Sequence, residues 1–178
     1  MCDRDCQQAE NLKTPVKKAS HTLPGGFWYN VAMEARNQRA DLKFLKPKVR
    51  QLAESLIVGC EREGFEIIIS RGLRSIEEQN KFYAQGRTEP GNIITLVKGG
   101  FSFHNYGVAF DIRPMVKEGD EEEKKRLYQK AGTIGMKLGL EWGGTWTEFL
   151  DMPHFQYRAG YSIDDFRNDK VDWNKFTV

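Results

Sequence analysis

From Pro47 onward the apolar positions recur with helical spacing. Val49, Leu52, Ala53, Leu56, Ile57 and Cys60 stand at i, i+3, i+4, i+7, i+8 and i+11. This predicts an amphipathic helix, opened by the proline and stopped at Gly64. The period then changes. Phe65-Glu66-Ile67-Ile68-Ile69-Ser70 is rich in β-branched residues and predicts a short strand, buried on at least one face. Ser75, with Glu78 three residues on, reads as a capping box for a second helix. Ile76, Phe82 and Tyr83 give that helix an apolar side, and Gly86 ends it. Strand-like pieces follow at Ile93 to Val97 and at Val108 to Ile112. A third helix is expected from Glu121 to Leu138, on the spacing of Leu127, Ala131, Ile134 and Leu138, with Gly139 as its stop. The last strand is expected at Pro153 to Tyr157, and Ser162 with Asp165 caps a short final helix.

Helices and strands alternate loosely, and no Gly-rich phosphate loop follows the first strand. The pattern favours an α+β fold with a mostly antiparallel sheet over a doubly wound nucleotide binder. Residues 1–40 read as a polar tail, ending at Pro24-Gly25-Gly26, followed by an irregular lead-in, and residues 41–178 as one domain. A chain of 178 residues can bury a real core without staples. Its 27 Lys+Arg nearly balance 25 Asp+Glu, so net charge gives no reason to expect nucleic acid. No apolar run is long enough for a membrane span. Cys2, Cys6 and Cys60 are an odd number, two of them in the tail, which argues against a disulfide framework. Cys2 and Cys6 are a weak zinc pattern without a second pair, and Cys60 reads as a core residue.

Only three histidines are present, and two stand in unusual company. Asp111 falls in the apolar run Val108-Ala109-Phe110-Asp111-Ile112, where an unpaired carboxylate would cost several kcal/mol if truly buried. A metal ion or a strong cation removes that cost. His104 lies just upstream across Gly107, and His154 opens another strand directly after Pro153. Two imidazoles and one carboxylate suit a catalytic zinc that keeps a position for water. Asp151, three residues before His154, is the nearest candidate base, with Glu141 and Glu148 as alternatives. Arg74, between a strand and a helix cap, could stabilise an oxyanion. Plainer readings stand beside these: a core histidine at 104, an ion pair of Asp111 with Arg113 or Arg74, a turn-forming Asp151, and surface charges at Arg71 and Arg74. Trp142 and Trp146 read as core or edge aromatics.

Ser102-x-His104-x-x-Gly107-x-Ala109-x-Asp111, followed by Asp151-x-Pro153-His154-Phe155, resembles the VanY-like zinc peptidases of bacterial cell walls. Gly72-Leu73-Arg74-Ser75, Glu78-Gln79, Tyr83-Ala84-Gln85-Gly86-Arg87 and Trp142-Gly143-Gly144 add to the resemblance. It is strongest toward the phage and bacterial L-alanyl-D-glutamate peptidases. An Asp in Asp-x-x-His, where the carboxypeptidase branch usually has Glu, favours that branch. The resemblance implies the fold shared by D-Ala-D-Ala peptidases and the Hedgehog signalling domain, a small antiparallel sheet flanked by helices. It implies Zn2+ held by His104, Asp111 and His154, Asp151 as general base, and Arg74 steadying the substrate carbonyl. Gln79 and Ser102 are implied as substrate-binding or supporting residues. Thr145 stands where relatives often carry Asp, which puts the order of that loop in question. The expected reaction is cleavage of the L-Ala-D-Glu bond of the peptidoglycan stem peptide. D-Ala-D-Ala carboxypeptidase action and a non-catalytic zinc-containing wall-binding module are the competing readings. Residues 1–26 lack the apolar core of a signal peptide. The expectation is therefore a monomeric phage or prophage endolysin, made in the cytoplasm and acting on the wall after release, with a holin as partner.

Overall fold

The computed structural model describes residues 42–178. The tail and lead-in assigned to residues 1–40, with Cys2 and Cys6, lie outside the described residues. Helix α1 spans Pro47–Arg62 with the proline in its first turn, and buries Val49, Leu52, Ala53, Leu56 and Cys60 as its spacing predicts. Strand β1 is Ile67–Arg71, helix α2 Ile76–Ala84 and strand β2 Ala109–Pro114. Helix α3 spans Glu121–Lys137, and strands β3 and β4 are Glu141–Trp142 and His154–Gln156. Helix α4, Ile163–Arg167, carries the full capping box of Ser162 and Asp165. No described helix is long and apolar enough to cross a membrane.

The strands form one antiparallel sheet in the order β1-β2-β4-β3. Side chains alternate between faces along a strand, and directly opposed residues share a face. Phe110 faces Phe155, which faces Trp142. Their rings stack, Phe110 on Phe155 at 5.7 Å and Phe155 on Trp142 at 6.4 Å between centroids. Ile69 and Ile112 extend this face. Helices α1 and α3 cover it, and the resulting core includes Leu56, Cys60, Leu127 and Ala131. Burial pushes the Cys60 thiol up to about 12, so it is an inert core group. The opposite face carries Asp111, His154, Gln156 and Glu141, again as directly opposed pairs. One face of the sheet is therefore the dry core and the other is polar.

A second aromatic cluster fixes the chain entering β2. Phe166 of α4 packs against Phe103 and Tyr106, at 5.5 and 5.2 Å between ring centroids, and against Trp173 and Phe176 of a C-terminal 3-10 turn. Phe103 and Tyr106 bound the 3-10 turn that holds His104. The last residues of the chain thus hold a turn some seventy positions earlier in sequence.

Three expectations are corrected. Residues 93–97 form an irregular loop rather than a strand. The loop is tied to α2 instead of to a sheet: the Gln79 amide donates to Thr95 Oγ1 and the Val97 carbonyl, and the Arg87 guanidinium to the Thr95 carbonyl. The apolar side expected for α2 is not its buried side, since Ile76 is exposed and the buried residue is Gln79. The box at Ser75 is half formed. Ser75 accepts from the Glu78 amide, but the Glu78 carboxylate pairs with Arg71.

Gly132 of α3 lies flat against Trp142, and a Cβ there would stand 2.3 Å from the indole ring. Alanine favours a helix by about 1 kcal/mol over glycine. Here overpacking against a buried ring outweighs that gain. Gly132→Ala is expected to lower stability by about 1–3 kcal/mol in denaturant unfolding, whereas Thr133→Ala on the exposed face leaves it within about 0.5 kcal/mol.

Candidate functional site

Asp111 and His154 are direct partners in the β2–β4 ladder, so their side chains leave the sheet side by side. His104 joins them from the 3-10 turn Phe103–Tyr106, which Gly107 closes in the left-handed region (φ 68°). His104 Nε2, His154 Nδ1 and Asp111 Oδ1 make a triangle with every side 3.2 Å. Both imidazoles are buried and Asp111 nearly so.

The outer nitrogens decide what faces inward. His104 Nδ1 lies 2.8 Å from the Gly72 carbonyl, which only accepts, so that nitrogen carries the proton. His154 Nε2 lies 3.0 Å from Gln156 Oε1. The Gln156 amide nitrogen donates to Glu141 Oε2 at 2.9 Å, which fixes its oxygen toward the histidine. Arg158 Nε in turn donates to both Glu141 oxygens at 2.8 and 2.9 Å. With both outer nitrogens protonated, neutral imidazoles point two lone pairs at a carboxylate oxygen. Three acceptors at this separation suit a shared cation, whether a metal ion or a proton on an imidazole. Burial by itself would raise the Asp111 carboxyl, but the two histidines more than offset it and hold it well below the usual carboxylate range. Burial would likewise lower His154, and the hydrogen bond and charge of Asp111 reverse the shift upward. These three residues could hold a metal ion.

Two further groups border the triangle. Arg74 Nη2 lies 3.6 Å from Asp111 Oδ2, and Nη1 donates to Gln79 Oε1 at 2.7 Å. Its Nε is buried without a hydrogen-bond partner. The backbone is clamped as well: the Arg74 amide donates to the His104 carbonyl, and the Asn105 side chain donates to the Arg74 carbonyl. Asp151 is half-buried. Burial raises its carboxyl, and the charges of His154, Asp111, His104 and Arg74 all act on it. Gly143 makes the turn before His154 possible. Its amide oxygen accepts from the Asp151 and Trp146 amides, and a Cβ there would stand 2.4 Å from the Asp151 carbonyl.

Of the remaining candidates, Gln79 is fully buried and touches Arg74, Thr95 and Val97, which makes it a clamp on the guanidinium. Ser102 is buried at the start of the 3-10 turn. Glu141, an alternative base by sequence, is committed to Gln156 and Arg158 behind His154, and Glu148 is exposed. Thr145 donates its hydroxyl to the Trp142 carbonyl at 2.8 Å and so closes the loop that follows β3. Trp142 is a core residue, whereas the half-exposed Trp146 lies against the His154 ring, 5.2 Å between centroids. Sequence reasoning missed the Gln156–Glu141–Arg158 chain. Its signal exists only once β3 is known to pair with β4.

Comparison with known proteins agrees with this geometry. A peptidase M15 family model, D-alanyl-D-alanine carboxypeptidase, matches residues 97–157. The peptidoglycan L-alanyl-D-glutamate endopeptidase CwlK of Bacillus subtilis (strain 168) is 38% identical over 121 residues, 63% of this chain and 72% of that protein. The L-alanyl-D-glutamate peptidase of Listeria phage A118 is 27% identical over 147 residues, 79% of this chain and 46% of that protein. Among solved structures, VanYB in complex with D-alanine-D-alanine aligns with a TM-score of 0.51 at 15% identity, covering 74% of this chain and 81% of that one. The LdcB LD-carboxypeptidase aligns at 0.50 and 20% identity, covering 74% and 75%. These two establish the shared fold, a small antiparallel sheet flanked by helices. Sequence identity, motif order and the converging His104, Asp111 and His154 place the chain in the VanY-like metallopeptidase family, in its L-alanyl-D-glutamate peptidase branch.

Proposed function

We propose that the chain is a zinc-dependent peptidoglycan endopeptidase that hydrolyses the L-Ala-D-Glu bond of the stem peptide. The observation that carries this reading is the triangle of lone pairs from His104, Asp111 and His154, with Asp151 and Arg74 at its border. Tetrahedral zinc with bonds of about 2.0–2.1 Å requires donor atoms roughly 3.3 Å apart, and the three donors here are 3.2 Å apart. Two nitrogens and one carboxylate oxygen also form a donor set that zinc takes in hydrolases. Bound zinc supplies Lewis acidity and a water of lowered pKa.

The chain's own residues do the rest. Asp151, whose carboxyl is raised by burial, accepts a proton from the attacking water and returns it to the leaving amide nitrogen. Arg74, aimed by Gln79 and held at the backbone by His104 and Asn105, donates N–H to the carbonyl oxygen as charge grows on it. The network from Gln156 to Arg158 holds the His154 tautomer that leaves Nδ1 free to ligate.

The activities of the bacterial and phage relatives support the L-Ala-D-Glu bond as the target, and the phage relative supports a lytic role. D-Ala-D-Ala carboxypeptidase action is the second reading. It is favoured by the family model over residues 97–157 and by the D-alanine-D-alanine complex of VanYB. Asp151 and Arg74 beside the ligand triangle weigh against a module that only binds.

Mass spectrometry of muropeptides after digestion separates the reactions: new L-Ala termini support the endopeptidase, and free D-Ala as the sole product overturns it. Asp151→Ala is expected to retain zinc while losing about 10²–10⁴-fold in cleavage rate, and normal turnover by that variant would remove Asp151 from the mechanism. Gln156→Ala is expected to weaken zinc binding by about 10–100-fold in chelator competition, with the fold intact by circular dichroism.

A further inference from the structure

Arg71 has no part in the chemistry above, yet the fold brings it to the site. Along β1, Ile68 faces Arg113 and Ile69 faces Ile112. Continued without interruption, this register would set Arg71 opposite Phe110, on the core side. A bulge between Ile69 and Arg71 takes up Ser70 as an extra residue, so Arg71 stands opposite Asp111 instead. Bulges re-aim side chains beside active sites in this way. Arg71 therefore shares a sheet face with Asp111 and His154.

Its guanidinium is placed but lightly held. Arg71 and Arg74 both lie over the Phe82 ring, each guanidinium carbon 4.9 Å from the centroid. Arg74 is nearly buried and engaged with Gln79 and Asp111. Arg71 is half-exposed, and beyond the Phe82 ring its one ion pair is Nη1 to Glu78 Oε1 at 3.3 Å, with Glu78 also half-exposed. An exposed pair of this kind is worth little and exchanges readily for another carboxylate. Arg87, just past the end of α2, donates to the carbonyls of Tyr83 and Thr95 and is not comparably available. Two guanidiniums on one ring, with Asp111 committed to the ligand triangle, leave local positive charge beside the place where the scissile carbonyl must sit.

The proposed substrate has a group that fits. The nitrogen of a D-glutamyl residue belongs to the scissile bond, one of its carboxyls continues the stem, and the other is free on the leaving-group side. We propose that Arg71 binds this free carboxylate and so selects D-glutamate over its uncharged amide. The inference rests on the endopeptidase reading and names a specificity residue within it. Arg71 acts on substrate binding and takes no proton.

The test uses the full chain, zinc-loaded, and two synthetic tripeptides. One is L-Ala-γ-D-Glu-L-Lys, and the other is the same peptide with the free glutamyl carboxylate converted to its amide. Wild type is expected to favour the carboxylate by about ten- to a hundredfold in kcat/KM, the range of a charged hydrogen bond. Arg71→Ala is expected to bring the ratio near one, and Arg71→Lys to keep part of it, with zinc content matching wild type in both. A wild-type ratio retained by Arg71→Ala overturns the proposal, as does an equal loss on both peptides, which would mark a structural role. Wild type cutting both peptides equally overturns Arg71 alone and leaves the endopeptidase standing. Wild type cutting neither, while releasing D-Ala from a pentapeptide stem, overturns the reaction assignment and the proposal with it.

Discussion

Everything at the site depends on one pairing, Asp111 against His154 across β2 and β4. Directly opposed residues in an antiparallel ladder have Cβ atoms about 4.5–5.5 Å apart on the same face. Two short side chains at such positions converge without any loop to guide them. The neighbouring pair, Phe110 against Phe155, points the other way into the core and is fully buried. A slip of one residue would put Asp111 in the apolar core and Phe110 in the site. The stacked rings and the helices over them therefore enforce the register that the donor atoms need. The stability of the core and the geometry of the site are the same constraint seen from two faces of one sheet.

Charge on the polar face is arranged in layers. Asp111 sits innermost between two imidazoles, with Arg74 against its second oxygen. Behind His154 the order is amide, carboxylate, guanidinium: Gln156, Glu141, Arg158. Each group is paired with the next, so the buried polar atoms are nearly all satisfied, as low dielectric requires. Among the described residues Arg74 Nε is the exception, a buried donor with no partner. An unsatisfied donor costs about 1–3 kcal/mol, and it lies on the residue that faces the reacting carbonyl in the proposed reaction. In the proposed reaction Arg158, Arg74 and Arg71 are thus differently employed, Arg158 in support, Arg74 at the reacting carbonyl and Arg71 at its edge.

Much of this was legible in the residues. The helical spacing from Val49 to Cys60 located α1, because one buried stripe on a helix leaves a 3.6-residue signature. A carboxylate in the middle of Val108-Ala109-Phe110-Asp111-Ile112 marked the site, because an apolar strand does not tolerate a charge without a partner. Motif order supplied the family. The loop at residues 93–97 misled, since its branched residues carry strand propensity while its hydrogen bonds go to α2. Gln79 was implied as a substrate-binding or supporting residue, and the fold buries it fully against the Arg74 guanidinium.

By itself the sequence determined which residue types could do chemistry, that an aspartate in an apolar strand called for a metal ion or a strong cation, and where the covering helices lie. Local propensity and short-range spacing carry that information. Only the tertiary structure decided the lone pairs that converge, the His154 tautomer set from Gln156 back to Arg158, the role of Phe166 in pinning the His104 turn, and the bulge that turns Arg71 toward Asp111. Each of these depends on strand register or on contacts between segments far apart in the chain. No local pattern encodes such contacts, because packing of the whole sheet sets them.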